Sequence, residues 1–233
     1  MRTLKILGFL LTYPTEMHQT ILDECQMLLH QENILSDKLI GNINELIEEI
    51  KSREILDIQD EYVSLFDRTP SLSLHIFEHI HGDSRERGQA LVDLANLYER
   101  HGLTITAEET PDYLPLFLEY VSNLPISEIN DNLSSIVNVT SAIGARLRNR
   151  ESLYASIFDA ISEVAACKID PKNIEQALSD SSGEAYSLEQ LDKEWEEQFA
   201  FDNSAPLNGQ NDGCPRASEM LARMKMAPEE KRG

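Results

Sequence analysis

Apolar residues recur at helical spacing through the first 170 positions, with polar residues between them, and this period predicts a succession of amphipathic helices. An opening helix over Thr3 to Thr12 breaks before Pro14, and Thr15 caps a second whose stripe reads Met17, Ile21, Cys25 and Leu28. Ser36 caps a third, with Leu39, Ile43, Leu46 and Ile50 in line. A fourth carries Ile55, Ile58, Tyr62, Leu65 and Phe66 and stops near Asp67, because Pro70 has no N–H with which to continue it. After a loop with one short helical turn, Asp83 and Glu86 form an N-cap pair that launches a helix through Leu91, Leu94 and Tyr98, ended by Gly102.

The segment from Asp112 to Leu124 breaks the pattern, because apolar residues leave only a narrow polar strip through Asp112, Glu119, Ser122 and Asn123. Such a helix belongs in the middle of a bundle, or lines a groove that something else fills. Ser127 then caps a long helix through Ile129, Leu133, Ile136, Thr140, Ile143 and Leu147, and a last one follows through Leu153, Ile157, Ile161 and Val164. Around Asp170 the pattern fades. Ser179 to Gly183 reads as linker, a Ser187/Gln190 capping box opens a short helix at 187–199, and the Asn, Gly and Pro content from Asp202 to Pro215 predicts disorder. The expected architecture is all-α: a single helical-bundle domain over residues 1–170 and a flexible acidic C-terminal tail over 171–233.

Charge narrows the classes of partner. The chain has 41 acidic against 20 basic side chains, a net charge of −21, and residues 1–170 alone hold 28 against 13. The folded part therefore carries the field, which repels nucleic-acid backbones and anionic lipid and suits a partner segment rich in Arg or Lys. Cys25, Cys167 and Cys214 lie far apart with no C-x-x-C spacing, so no zinc knuckle or redox dithiol is visible and a reducing compartment is expected. Arg2 and Lys5 precede an apolar run, Ile6 to Leu11, that is too short for a secretory core, and no stretch approaches the roughly 18 apolar residues of a membrane span. A cytoplasmic protein without membrane insertion is the expectation.

His75-Ile76-Phe77-Glu78-His79 matches the H-x-x-E-H pattern of a zinc peptidase class, in which two His one helical turn apart hold the metal and the Glu polarises water. Pro70 and Gly82 leave barely two helical turns for it, and three fixed positions arise by chance in a chain with six His. A zinc-dependent hydrolase is therefore an alternative reading. No Walker A, G-x-G-x-x-G or G-x-S-x-G motif is present. From Tyr62 to Gly88 polar, charged and glycine residues are dense, and charged groups between Phe66, Phe77 and a helix start suggest a hydrogen-bonded network fixing a loop between helical layers.

The run Tyr62 to Arg68, the segment Glu78-His79-Ile80-His81-Gly82-Asp83-Ser84-Arg85 with Arg87 and Gly88, and Pro111-Asp112-Tyr113-Leu114-Pro115-Leu116 with Glu119-Tyr120 resemble the nitrate reductase delta-subunit family, the molybdenum-cofactor assembly chaperones of the NarJ type. The likeness extends over roughly residues 1–170. It implies an all-helical chaperone, not an enzyme and without a cofactor of its own, that binds the apo catalytic (alpha) subunit of respiratory nitrate reductase, including an N-terminal amphipathic helix of that subunit. It further implies support for molybdenum cofactor insertion, delay of membrane attachment until maturation is complete, and the cofactor biosynthesis proteins as further partners. The wider redox-enzyme maturation superfamily shares an aromatic-x-x-Leu-Phe motif, matched by Tyr62, Leu65 and Phe66, and a Glu, Pro, Asp, His cluster, matched by Glu109, Pro111 and Asp112 with Tyr113 in place of the His. That departure speaks against carrying over a guanine-nucleotide role.

These motifs and the over-apolar helix together supply the candidate partner-binding residues: Tyr62, Leu65, Phe66, Asp67 and Arg68; Glu78, His79, His81, Asp83, Arg85 and Arg87; and Asp112, Tyr113, Leu116, Phe117, Glu119 and Tyr120. In this reading the helix Tyr113 to Leu124 is one wall of an open groove for a client helix, with Asp112 and Glu119 at its rim. A helical adaptor that binds the client regardless of cofactor is the other alternative.

Overall fold

A computed structural model describes residues 1–82, 84–106 and 109–165. Among the described residues the chain forms α1 (Arg2–Leu10), α2 (Glu16–Glu32), α3 (Asp37–Ser52), α4 (Ile55–Tyr62), α5 (Ile76–His81), α6 (Arg85–Arg100), α7 (Leu114–Ser122), α8 (Ile126–Asn149) and α9 (Ala155–Ala165). The all-α class is as expected. The only β feature among them is an isolated antiparallel bridge between His75 and Tyr113.

Local chemistry sets most of the boundaries. Thr15 is the N-cap of α2, where its backbone N–H donates to Nδ1 of His18 at 3.1 Å. Ser36 is the N-cap of α3, but its hydroxyl donates to Glu163 of α9 at 3.0 Å, so the cap residue ties two helices together. Gly102 ends the α6 segment with φ at +75°, a conformation glycine adopts without steric cost. Two starts differ from the sequence reading. The N-cap of the long helix α8 is Pro125, two residues before the expected Ser127, and the N-cap of α6 is Ser84. Asp83, the cap expected there, lies outside the described residues, as do Cys167, Cys214 and everything expected of 171–233.

A larger difference concerns α2. Its inward row is Leu22, Cys25 and Leu29, while Met17 and Ile21 are exposed and Leu28 is half-buried. The neighbouring rows of this helix are both apolar, so periodicity alone selected a row turned too far toward solvent.

One contiguous core gathers residues from every helix. Helices α8 and α9 form a hairpin in which Gly144 meets Phe158, α3 packs on α9, and α2 lies between α1 and α3. Helix α7, started by Pro115 in its first turn, runs through the middle, and α1 covers it along its length. Gly8 makes that close approach, because a Cβ there would lie 3.1 Å from the Pro115 carbonyl oxygen.

Candidate functional site

The motif residues converge where α4, α5 and the loop before α7 meet. Helix α4 continues into a π-helical turn, Val63–Asp67, whose wider winding turns Leu65 and Phe66 into the core beside Tyr62. The aromatic-x-x-Leu-Phe motif is therefore a core anchor. The Tyr62 ring packs on Phe66 at 5.0 Å, and Phe66 stands edge-on to Tyr154 at 5.2 Å. The Tyr62 hydroxyl donates to the Leu11 carbonyl at 2.8 Å and meets the Tyr113 hydroxyl at 3.2 Å, which joins α1, α4 and the start of α7. Burial pushes the Tyr62 phenol well above its usual range, so it stays a neutral donor.

A second set of contacts fixes the loop before α7. Asp112 is fully buried, and one of its oxygens accepts the Phe77 N–H at 3.0 Å, capping the first turn of α5. The other accepts from the Thr110 hydroxyl, and His75 Nδ1 lies 3.6 Å from it, an ion-pair distance. Burial alone would raise the Asp112 carboxyl, but His75, Thr110 and the Phe77 N–H together hold it below the ordinary value. The nearby Asp112 carboxylate in turn raises the His75 imidazole. The bridge to Tyr113 completes the clasp through the Ile76 N–H on the Asp112 carbonyl and the Leu114 N–H on the Leu74 carbonyl, at 3.0 and 2.8 Å.

Glu78 accepts from the Ser73 hydroxyl and from Arg87, the latter at 2.9 Å, so α5 is tied to α6. His79 Nε2 lies 2.8 Å from the Ser73 carbonyl, and burial lowers its pKa. These partners answer the zinc reading. His75 turns to Thr110 and Asp112, Glu78 to Ser73 and Arg87, and His79 to the Ser73 carbonyl, on a helix of six residues. The H-x-x-E-H spacing does not bring its three donors to one point, and no cluster with metal-binding geometry occurs among the described residues.

The remaining candidates divide by exposure. Asp67, Arg68, Arg85 and Glu119 are exposed, while Tyr113 and Leu116 are half-buried. His81 is also half-buried, with its ring edge-on to Phe77 at 5.6 Å. Asp83 lies outside the described residues. Phe117 and Tyr120 belong to the core, where Tyr120 packs on Tyr98 at 4.6 Å. The open groove expected along α7 is thus closed in this structure. Helix α1, with Leu4 and Leu7 fully buried, lies along it and brings Gly8 against Pro115 and Leu118.

Residues that the sequence reading passed over also hold the site. Ser73 is a hub that accepts the His75 N–H, donates to Glu78 and offers its carbonyl to His79, and Thr110 bridges His75 and Asp112. Ser73 two positions before His75 is a short-range Ser turn signal, whereas Thr110 has none. No helix of the described residues is long and apolar enough to cross a membrane.

Comparison with known proteins fits this architecture. The family model for the nitrate reductase delta subunit matches residues 34–160, which include the whole clasp. The chain is 41% identical over 152 residues to the Escherichia coli K12 protein named nitrate reductase molybdenum cofactor assembly chaperone NarJ, covering 65% of this chain but only 64% of that relative. It is 32% identical over 216 residues to NarW of the same organism, which bears the same kind of name, covering 89% of this chain and 90% of NarW. The crystal structure of a redox enzyme maturation protein from Archaeoglobus fulgidus shares the fold, with a TM-score of 0.53 and 24% identity over 72% of this chain and 94% of the other. On the extent of these matches, the chain belongs to the nitrate reductase delta subunit family.

Proposed function

We propose that the chain is a chaperone of nitrate reductase assembly that acts in the cytoplasm, binds the apo catalytic subunit, supports molybdenum cofactor insertion and delays membrane attachment until that step is done. The observation that carries the reading is the likeness to NarW along nearly the whole chain, joined to the names that NarW and NarJ bear. The reading assigns no reaction to the chain. Its polar motif residues hold helices together: Asp112 caps α5, Glu78 ties α5 to α6, and Tyr62 ties α4 to α1. That leaves the outer surface as the working part. The acidic field of the body favours a client segment bearing Arg or Lys, and an N-terminal amphipathic helix of the catalytic subunit is the proposed segment.

The test is the molybdenum content of the catalytic subunit produced with and without this chain. The expected result is a metal-poor, prematurely membrane-attached subunit in its absence. Equal molybdenum content in both preparations would remove the maturation role. Equal affinity of the chain for the loaded and apo forms would reduce it to an adaptor.

A further inference from the structure

The row of aromatic rings that carries the Tyr62 motif ends in a hydroxyl with no partner. Tyr62 packs on Phe66 and Phe66 stands edge-on to Tyr154, so the row runs from α4 to the turn between α8 and α9. At one end the Tyr62 hydroxyl is satisfied by the Leu11 carbonyl. At the other, Tyr154 is 3% exposed, and its hydroxyl makes no hydrogen bond among the described residues. An unpaired hydroxyl at that depth is destabilising, and such groups in folded chains nearly always have a partner.

Tyr154 lines a cavity of about 10 Å³ where this turn meets α3 and α4. The other polar walls are Glu49 of α3, Glu61 of α4 and Arg53 from the turn between them, and Ile50 and Leu153 add apolar surface. Burial holds the Tyr154 phenol far above its usual range, and of the charged groups that act on it Glu61 and Glu49 push the same way while Arg53 opposes them. The phenol therefore stays a neutral donor and faces the charged side of the cavity. Arg53 Nη1 donates to one oxygen of Glu49 at 2.8 Å and to one oxygen of Glu61. The second oxygen of each carboxylate accepts no hydrogen bond among the described residues.

These features together fit one small ligand. The volume suits a single water, and a buried water takes two to four polar partners. Three stand ready: the Tyr154 O–H as donor and the unused oxygens of Glu49 and Glu61 as acceptors. Water matches this set, because it accepts one proton and donates two. A cation meets the Arg53 guanidinium already seated on both carboxylates, and an anion is repelled by them. We propose that the junction of α3, α4 and the α8–α9 turn is a binding site for one ordered water, which accepts from Tyr154 and donates to Glu49 and Glu61. The water carries the aromatic row of the motif into the ion pairs of Arg53, so the turn before α9 is tied to both α3 and α4. The site is separate from the clasp at Asp112 and independent of the function proposed above.

The test joins a high-resolution crystal structure of the full chain to thermal melts of the parent and Tyr154→Phe. The structure is expected to show one density peak about 2.5–3.0 Å from the Tyr154 hydroxyl and from the two carboxylates. Tyr154→Phe keeps the ring on Phe66 and removes only the donor, and its melting temperature is expected to fall by about 2–4 °C. An unchanged or higher melting temperature would overturn the site, because deleting a hydroxyl that has no partner removes a cost instead of adding one. A Tyr154 hydroxyl in direct contact with a carboxylate, with no density between them, would overturn it as well.

Discussion

Gly144 of α8 and Phe158 of α9 meet so closely that a Cβ on the glycine would stand 2.8 Å from the Phe158 Cβ. The obstructing atom is next to the backbone of α9 and cannot swing away. Gly144→Ala is therefore expected to separate the hairpin at a cost of about 1–3 kcal/mol, against the roughly 1 kcal/mol that alanine gains over glycine inside a helix. Gly41 of α3 is the contrast, because nothing lies within 4 Å of its added Cβ. Gly41→Ala should raise stability by about 0.5–1 kcal/mol. Thermal melts of the two variants should move in opposite directions, by roughly 2–4 °C per kcal/mol.

Phe117→Ala and Tyr120→Ala remove side chains from the centre of the bundle, and about 3–5 kcal/mol of stability should go with a side chain of that size. The expected signature is a lower unfolding midpoint in denaturant with unchanged peptide affinity for the protein that remains folded. A loss of affinity in either variant at full stability would show that α7 is reached by the client.

The clasp at His75 predicts a dependence on pH. The Asp112 carboxylate raises the His75 pKa above 6.5, so the ion pair contributes fully below that value and is lost as pH rises through the higher folded value. The Asp112 carboxyl, held below 3.8, keeps the pair intact until strongly acid conditions. His79, lowered by burial, acts the other way: its contribution is present above 6.5 and lost as pH falls. The parent and His75→Gln share His79, so their difference isolates the clasp. It should be on the order of 1 kcal/mol at about pH 5 and vanish by about pH 9 in denaturant titrations. A difference that is constant across this range would mean that His75 acts through its contact with Thr110 alone.

Client peptide affinity should fall as salt rises, because exposed acidic groups act through a field that about 0.15 M salt screens within roughly 8 Å. Calorimetric titration over a tenfold range of ionic strength measures the slope. A flat response would assign the binding energy to apolar contact alone.

The sequence pattern exposed much of this fold because helix starts are locally encoded: Thr15 and Ser36 stand where the capping rule places them. It misplaced the inward row of α2 because Met17 and Leu22 are equally apolar, and only the position of α1 decides between them. For α7 the pattern left two outcomes, buried centre or groove wall, and the choice lay with a helix more than a hundred residues earlier. The motif residues of the clasp could be found from the family resemblance. Their roles could not, since capping of α5 by Asp112 depends on a loop crossing that no local spacing encodes.

The contact between α1 and α7 also sets an order of events during synthesis. About a hundred residues separate the two helices, which at ordinary ribosomal speeds is a delay of roughly 5–20 s. Throughout that interval the face of α1 around Gly8 has no α7 to lie against. Every newborn copy therefore passes through a stage in which the face of α1 that later meets α7 is an uncovered oily surface, the same kind of surface it is proposed to receive from its client.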